Sequence, residues 1–159
     1  MSIGIVCNNV GPNQLAYYMI KSGNEFVKSG ENDLVVFFYE LMPECTRPNF
    51  GLMNLSEAYD YKGVLIATDV NSASRILEYP GTTDKFFYVW DLEWIRMQQK
   101  QYEVLDIVYN NPKMPLIARS KRHFNLLKNL WSKPIGITEN CNVNELYNIV
   151  DEYTKEKQL

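Results

Sequence analysis

The chain has 159 residues, is 46% hydrophobic and 13% aromatic, and carries a formal net charge of −3, which suits one domain with a sizeable core. Acidic and basic residues are mixed along it with no basic tail or stripe, so the charge does not favour sequence-independent nucleic-acid binding. Its cysteines, at 7, 45 and 141, are odd in number with no CxxC, and there is a single histidine, which argues against a disulfide framework, a zinc site or any metal site. No signal peptide is visible and no apolar run approaches about 18 residues, so no membrane contact is expected. The expected location is a reducing cytoplasm, that of a host if the gene is viral; the Asn- and Tyr-rich composition would suit a viral or other AT-rich genome.

Residues 2–7 are an apolar run and read as the first strand. Residues 8–14, with Asn8, Asn9, Gly11 and Pro12, are a turn. Over residues 15–27, Leu15, Met19, Ile20, Phe26 and Val27 fall at helical spacing, and Ser29-Gly30 ends the helix. Strand, glycine-containing turn, helix is how many phosphate or sugar sites begin, but the GxGxxG of a dinucleotide site is absent.

Residues 33–39 are the second strand, and 40–54 a long loop holding a short edge strand at 50–53. A brief helical turn at 56–59 precedes the third strand, 63–67. Asp69 or Asn71 then caps a helix over 73–77, leaving the helix start on the rim. After a turn at 79–84 comes the fourth strand, 86–90, whose aromatic and β-branched residues read as buried on both faces. Residues 92–97 and 102–109 are helical, with a break at 98–101. The fifth strand is 114–118; Ser120 begins a helix over 121–131 with the stripe Phe124, Leu127, Leu130 and Trp131. The sixth strand, 134–138, leads to a closing helix over 143–153, and 154–159 is a polar, frayed tail. Strands and helices alternate throughout. That pattern predicts an α/β fold spanning 1–153: a single doubly wound, mainly parallel sheet of about six strands with helices on both faces, Rossmann-like.

In such a sheet, ligands bind beyond the carboxyl ends of the strands. Asp69, Asp91, Glu93 and Glu139 all fall at or just past strand ends, where two could converge as a base and its orienting partner. The plainer reading is that Asp69 caps a helix and Glu93 sits in a helix first turn. Trp90 and Trp94 either wall a sugar or base site or fill the core. Arg119 and Ser120, at the mouth of the fifth strand, could hold an anion at a helix N-terminus; the basic cluster at 119–123 also reads as a solvated helix start. His123 is a general base, a phosphate contact or an unpartnered surface histidine. Cys7 reads as a small core residue. A phosphoacceptor receiver domain would match Asp69, but Asn8-Asn9 and Arg119-Ser120 stand where it needs an acidic pair and a lysine, so that reading is excluded.

Taken in order, these strand ends resemble a family. Residues 3–11, with Val10-Gly11-Pro12 replacing the usual Gly-Gly pair, resemble the glycine-containing first loop of GT-B glycosyltransferases, in particular the retaining group called family 4. Residues 63–69 resemble its apolar strand and polar loop, 86–93 its aromatic strand ending in Asp, and 116–120 with 134–140 the segments ending in Ser and Asn. The resemblance covers the N-terminal, Rossmann-like acceptor domain. It implies transfer of a sugar from a nucleotide donor to a hydroxyl acceptor, a small molecule or a glycan. Asp91 would orient or deprotonate the acceptor. Gly11 and its neighbours, Asn9 among them, would approach the donor phosphate with help from Arg119 and Ser120. Trp90 and Trp94 would shape the pocket, with Asp69, Glu93 and Glu139 on the same rim. No tightly bound cofactor is implied; the nucleotide sugar is a substrate. The donor half is expected from a partner or a second copy. The alternatives are a non-catalytic interaction module that kept the scaffold and a small nucleotide-binding regulator.

Overall fold

Short apolar runs, three to five residues long for the most part, build one sheet at the centre of the computed structural model, which describes residues 1–30, 33–80, 84–98 and 101–158, the side chain of 158 aside. Its strands are β1 (Ile3–Cys7), β2 (Leu34–Phe38), β3 (Gly51–Asn54), β4 (Val64–Ala67), β5 (Lys85–Val89), β6 (Leu116–Ala118) and β7 (Gly136–Ile137). The spatial order is β3-β2-β1-β4-β5-β6-β7 and every pairing is parallel. Ile5 at the centre lies opposite Val36 on one side and Ile66 on the other.

Among the described residues five α-helices cover the two faces: α1 (Gln14–Phe26), α2 (Val70–Leu77), α3 (Tyr102–Tyr109), α4 (Lys121–Leu130) and α5 (Val143–Gln158). The division follows from the pleat, which sends alternate residues to opposite faces. Ile3, Ile5, Cys7, Val36, Ile66, Phe86, Tyr88 and Ile117 pack against Met19, Ile20 and Phe26 of α1 and Val143, Leu146 and Val150 of α5. Val6, Phe37, Leu65, Phe87, Val89 and Ala118 pack against Val70, Ala73 and Ile76 of α2, Leu105, Val108 and Tyr109 of α3, and Leu127 of α4. The expected doubly wound α/β architecture is therefore present, wholly parallel and with seven strands among the described residues. The seventh is the edge strand β3, paired to β2 from Gly51 to Asn54.

Two local differences from the sequence reading have clear causes. The stretch 92–97 is not a helix; it holds only a 3-10 turn, Glu93–Ile95. Leu92 lacks a side-chain cap, and Glu93 is drawn away to another helix, as described below. The tail does not fray at 154, because α5 continues to Gln158. Asp151 pairs with Lys155 at 2.6 Å and Lys157 reaches Asp84 at 3.3 Å, while Thr154 Oγ1 donates to the Val150 carbonyl at 2.7 Å. The brief helical turn expected at 56–59 is present, as a 3-10 helix, Leu55–Asp60. Residues 81–83 of the expected turn, 99–100 of the expected break and Leu159 lie outside the described residues. Among the described residues no helix is long and apolar enough to cross a membrane.

Past β7 the backbone is strained. Asn140 and Cys141 both take positive φ, 52° and 48°, a region that costs an L-residue roughly 1–2 kcal/mol. A buried hydroxyl holds them there. Tyr88 Oη accepts from the Cys141 amide at 3.1 Å and donates to the Thr138 carbonyl at 3.0 Å. Ser22 Oγ donates to the Cys141 carbonyl at 2.8 Å, tying the loop to α1.

Candidate functional site

Strand β1 has β2 on one side and β4 on the other, so the loops leaving β1 and β4 diverge and open a crevice at their carboxyl ends. The β1–α1 loop is braced from within. Asn9 Oδ1 accepts from the Gly11 amide and from Asn13 Nδ2, both at 3.1 Å. Asn13 in turn caps α1, accepting from the Ala16 amide at 2.9 Å.

Across the crevice, two carboxylates converge on the start of α2. Asp69 is the N-cap, accepting from the Ser72 amide at 2.8 Å, and Ser72 Oγ returns the contact to the Asp69 amide as a capping box. Glu93 Oε1 accepts from the Val70 amide at 2.9 Å. A chain segment 23 residues away thus satisfies a second orphan donor of the same helix.

The cost is electrostatic. Desolvation raises the Glu93 carboxyl to about 7, aided by the neighbouring Asp69 charge and opposed by the Val70 hydrogen bond. Burial also raises Asp69, against the amides of Ser72 and Asn71. Tyr109 is fully buried nearby, and its hydroxyl has no hydrogen-bond partner among the described residues. Burial, then the charges of Glu93 and Asp69, push that phenol up.

Above this pair lies an open cleft of about 600 Å³. Asn8, Asn9 and Asn13 line it from the β1–α1 loop, Thr68 and Asp69 from the end of β4, and Trp90, Asp91, Glu93, Arg96 and Met97 from the segment after β5. Asp91 is half exposed; its Oδ1 accepts from the Leu92 amide at 3.0 Å and its Oδ2 is paired with Arg96. The Trp90 ring carries the Arg119 guanidinium 3.6 Å from its centroid, and Arg119 also donates to the Trp90 carbonyl at 3.4 Å and to Gln14 at 3.5 Å. A second cavity, about 400 Å³, lies on the other side of Cys7, Asn8 and Asp69, which border both. Tyr39, Leu55, Asn71, Ser72, Ser74, Arg75 and Val104 also line it.

Of the residues singled out from sequence, Asn9, Asp69, Trp90, Asp91 and Glu93 come together in the main cleft. Arg119 is not among the described residues that line the cleft; it stacks on the Trp90 ring instead. Gly11 is buried with its amide committed to Asn9, so it does not offer that donor to a phosphate. Trp94 does not wall the cleft; it turns into an aromatic nest against Tyr109 at 5.1 Å and Trp131 at 6.0 Å. Ser120 caps α4, accepting from the His123 amide at 3.2 Å. Burial lowers the His123 ring, with Arg119 and Arg122 adding to the effect and the Val89 backbone opposing it. Glu139 borders a separate groove with Tyr18, Lys21 and Glu145, between α1 and the start of α5. Among the described residues no cluster of three or more His, Cys, Asp or Glu side chains could hold a metal ion.

Sequence reasoning missed Asn13, Arg96, Met97 and the whole second cavity. Asn13 was detectable as an N-cap residue just before the first helix. The Arg75–Tyr39 contact joins residues 36 positions apart and has no local signature. Comparison with protein-family models, with curated proteins and with solved structures found no match to this chain.

Proposed function

We propose that this chain is a glycosyltransferase-like protein of the GT-B acceptor-domain type, and that the cleft at the β1/β4 switch point holds the acceptor. The observation that carries the reading is the convergence of Asn9, Asn13, Trp90, Asp91 and Glu93 in one cleft. Amides and carboxylates beside an aromatic side chain match a ligand rich in hydroxyl groups and poor in charge. Three carboxylates, Asp69, Asp91 and Glu93, line the cleft, and among the described residues Arg96 is the one basic side chain in its walls. At an effective dielectric of about 20, a carboxylate about 8 Å away opposes a phosphate charge by roughly 2 kcal/mol. The donor phosphates therefore belong outside this cleft, on a partner, a second copy or another domain.

Glu93 is the better base, since a group near 7 can both accept and hold a proton at neutral pH. Its carboxylate takes the acceptor hydroxyl proton as that oxygen bonds to the donor's anomeric carbon. The bond from that carbon to the nucleoside diphosphate breaks, and its electron pair leaves with the diphosphate. Asp91, oriented by Arg96, binds a neighbouring hydroxyl.

The test is a transfer assay with nucleotide-sugar donors and hydroxyl acceptors, on protein purified with its native associates. Glu93→Gln should lower turnover by about 10²-fold or more with the fold intact by circular dichroism. Undiminished transfer would remove Glu93 from the mechanism. A second reading, an interaction module without catalysis, draws on the exposed apolar residues of the rim, where Leu41 is 84% and Ile95 69% accessible. Failure of every donor to turn over would favour it.

A further inference from the structure

The two cavities at the switch point meet at Cys7, Asn8 and Asp69 and differ in the balance of charge along their walls. In the larger one, the acidic side chains Asp69, Asp91 and Glu93 outnumber the single base, and that base, Arg96, is engaged by Asp91. Among the described residues the smaller one is walled by one base, Arg75, and one acid, the shared Asp69. Among the described residues Arg75 has no ion-pair partner. Its guanidinium lies 4.6 Å from the centroid of the Tyr39 ring. Stacking of that kind holds the plane of the guanidinium and leaves its edge N–H groups available, a fork that matches a carboxylate or a phosphate. Asn71 and Ser74, from the same helix, supply further polar groups to the wall, while Leu55 and Val104 keep it partly apolar. The Asp69 carboxylate between the cavities is turned to the amides of α2.

We propose that the acceptor carries an anionic group, a carboxylate or a phosphate, which binds Arg75 in the cavity beside α2 while its hydroxyl lies in the main cleft next to Glu93. This rests on the acceptor-binding reading above and adds the ligand's second feature. The cavity volumes, about 600 and 400 Å³, each fall within the range of small-molecule sites, so one extended ligand can occupy both. The polarity of the crevice sets its direction: hydroxyls toward β5, negative charge toward β2.

The experiment is a titration of the whole chain with three matched ligands, a neutral hexose, the corresponding uronic acid and the hexose phosphate. Binding is followed by calorimetry and by the Trp90 indole N–H signal in NMR. At least one anionic ligand should bind about tenfold or more tightly than the neutral hexose, and Arg75→Gln should abolish that preference. The anion that gains identifies the group as carboxylate or phosphate. If the neutral hexose moves the Trp90 signal but neither anion gains, or the gain survives Arg75→Gln, the anion site is wrong and the acceptor reading stands. If no ligand moves the Trp90 signal, the acceptor reading falls and takes this inference with it.

Discussion

Replacing Glu93 with Gln should stabilise the protein at alkaline pH and leave it almost unchanged in acid. The folded structure raises this carboxyl from the ordinary 4.5 to about 7, mainly by desolvation. Folding therefore favours the protonated form. Below about 4.5 the group is largely protonated in both states and contributes little. As pH rises through 4.5 the unfolded chain gains a charge that the folded one resists, and above about 7 the penalty is fully present. At about 1.4 kcal/mol per pH unit, the difference is worth roughly 3 kcal/mol before screening. Glu93 is only partly buried, and solvent screening reduces this to about 1–2 kcal/mol. Glutamine keeps the acceptor for the Val70 amide and drops the charge. Thermal unfolding of Glu93→Gln and the parent should then differ by about 3–6 °C at pH 8.5, the variant being higher, with the gap nearly closed at pH 4.5. A companion variant separates the causes. Asp69→Asn keeps the N-cap but removes the like charge, so the Glu93 titration followed by ¹³C NMR should move down toward the ordinary value. An equal gap at both pH values, or a variant less stable at pH 8.5, would refute the picture of a carboxylate forced into a poorly solvated place.

Tyr88→Phe should cost about 2–4 kcal/mol in urea unfolding, since it leaves the Cys141 amide and the Thr138 carbonyl without their buried partner and releases the two left-handed residues. A loss below about 1 kcal/mol would mean that the loop holds itself. Native thiol labelling at pH 8 should modify Cys45 alone at an appreciable rate. Cys7 and Cys141 are buried, with Cys7 pushed up to about 12 and Cys141 raised further by burial and by Cys7. Denaturant should expose all three, and rapid native labelling of Cys7 would show that the crevice floor opens.

Much of the fold was legible because local pattern and global packing agree. The run Phe86 to Val89 is buried on both faces, as its unbroken apolar character implies. Asp69 caps α2 because a short acceptor just ahead of an apolar helix has that role almost anywhere. Glu93 could be placed on the rim, but its contact with Val70 depends on how the segment after β5 crosses to α2, which no spacing encodes. Trp94 was misplaced for a related reason. Next to Glu93, it points the other way because the 3-10 turn rotates successive side chains by about 120°. Asp91 kept its place on the cleft, but its pairing with Arg96 could not be told from many other nearby charges. The tail read as polar because its anchors are ion pairs, one of them to Asp84 in the turn before β5.

The position of β1 has a consequence for how the chain is made. Made before the other described strands yet central in the sheet, it can pair with β2 once Phe38 has emerged from the ribosome, but its other edge stays open until β4 is complete at Ala67. At roughly 5–20 residues per second, those 29 residues take about 1.5–6 s. For that interval the nascent protein shows an unpaired edge of Ile, Val and Cys, the kind of surface that pairs with another chain. Slow codons between β2 and β4 would lengthen that exposure and lower soluble yield without altering a single residue of the product.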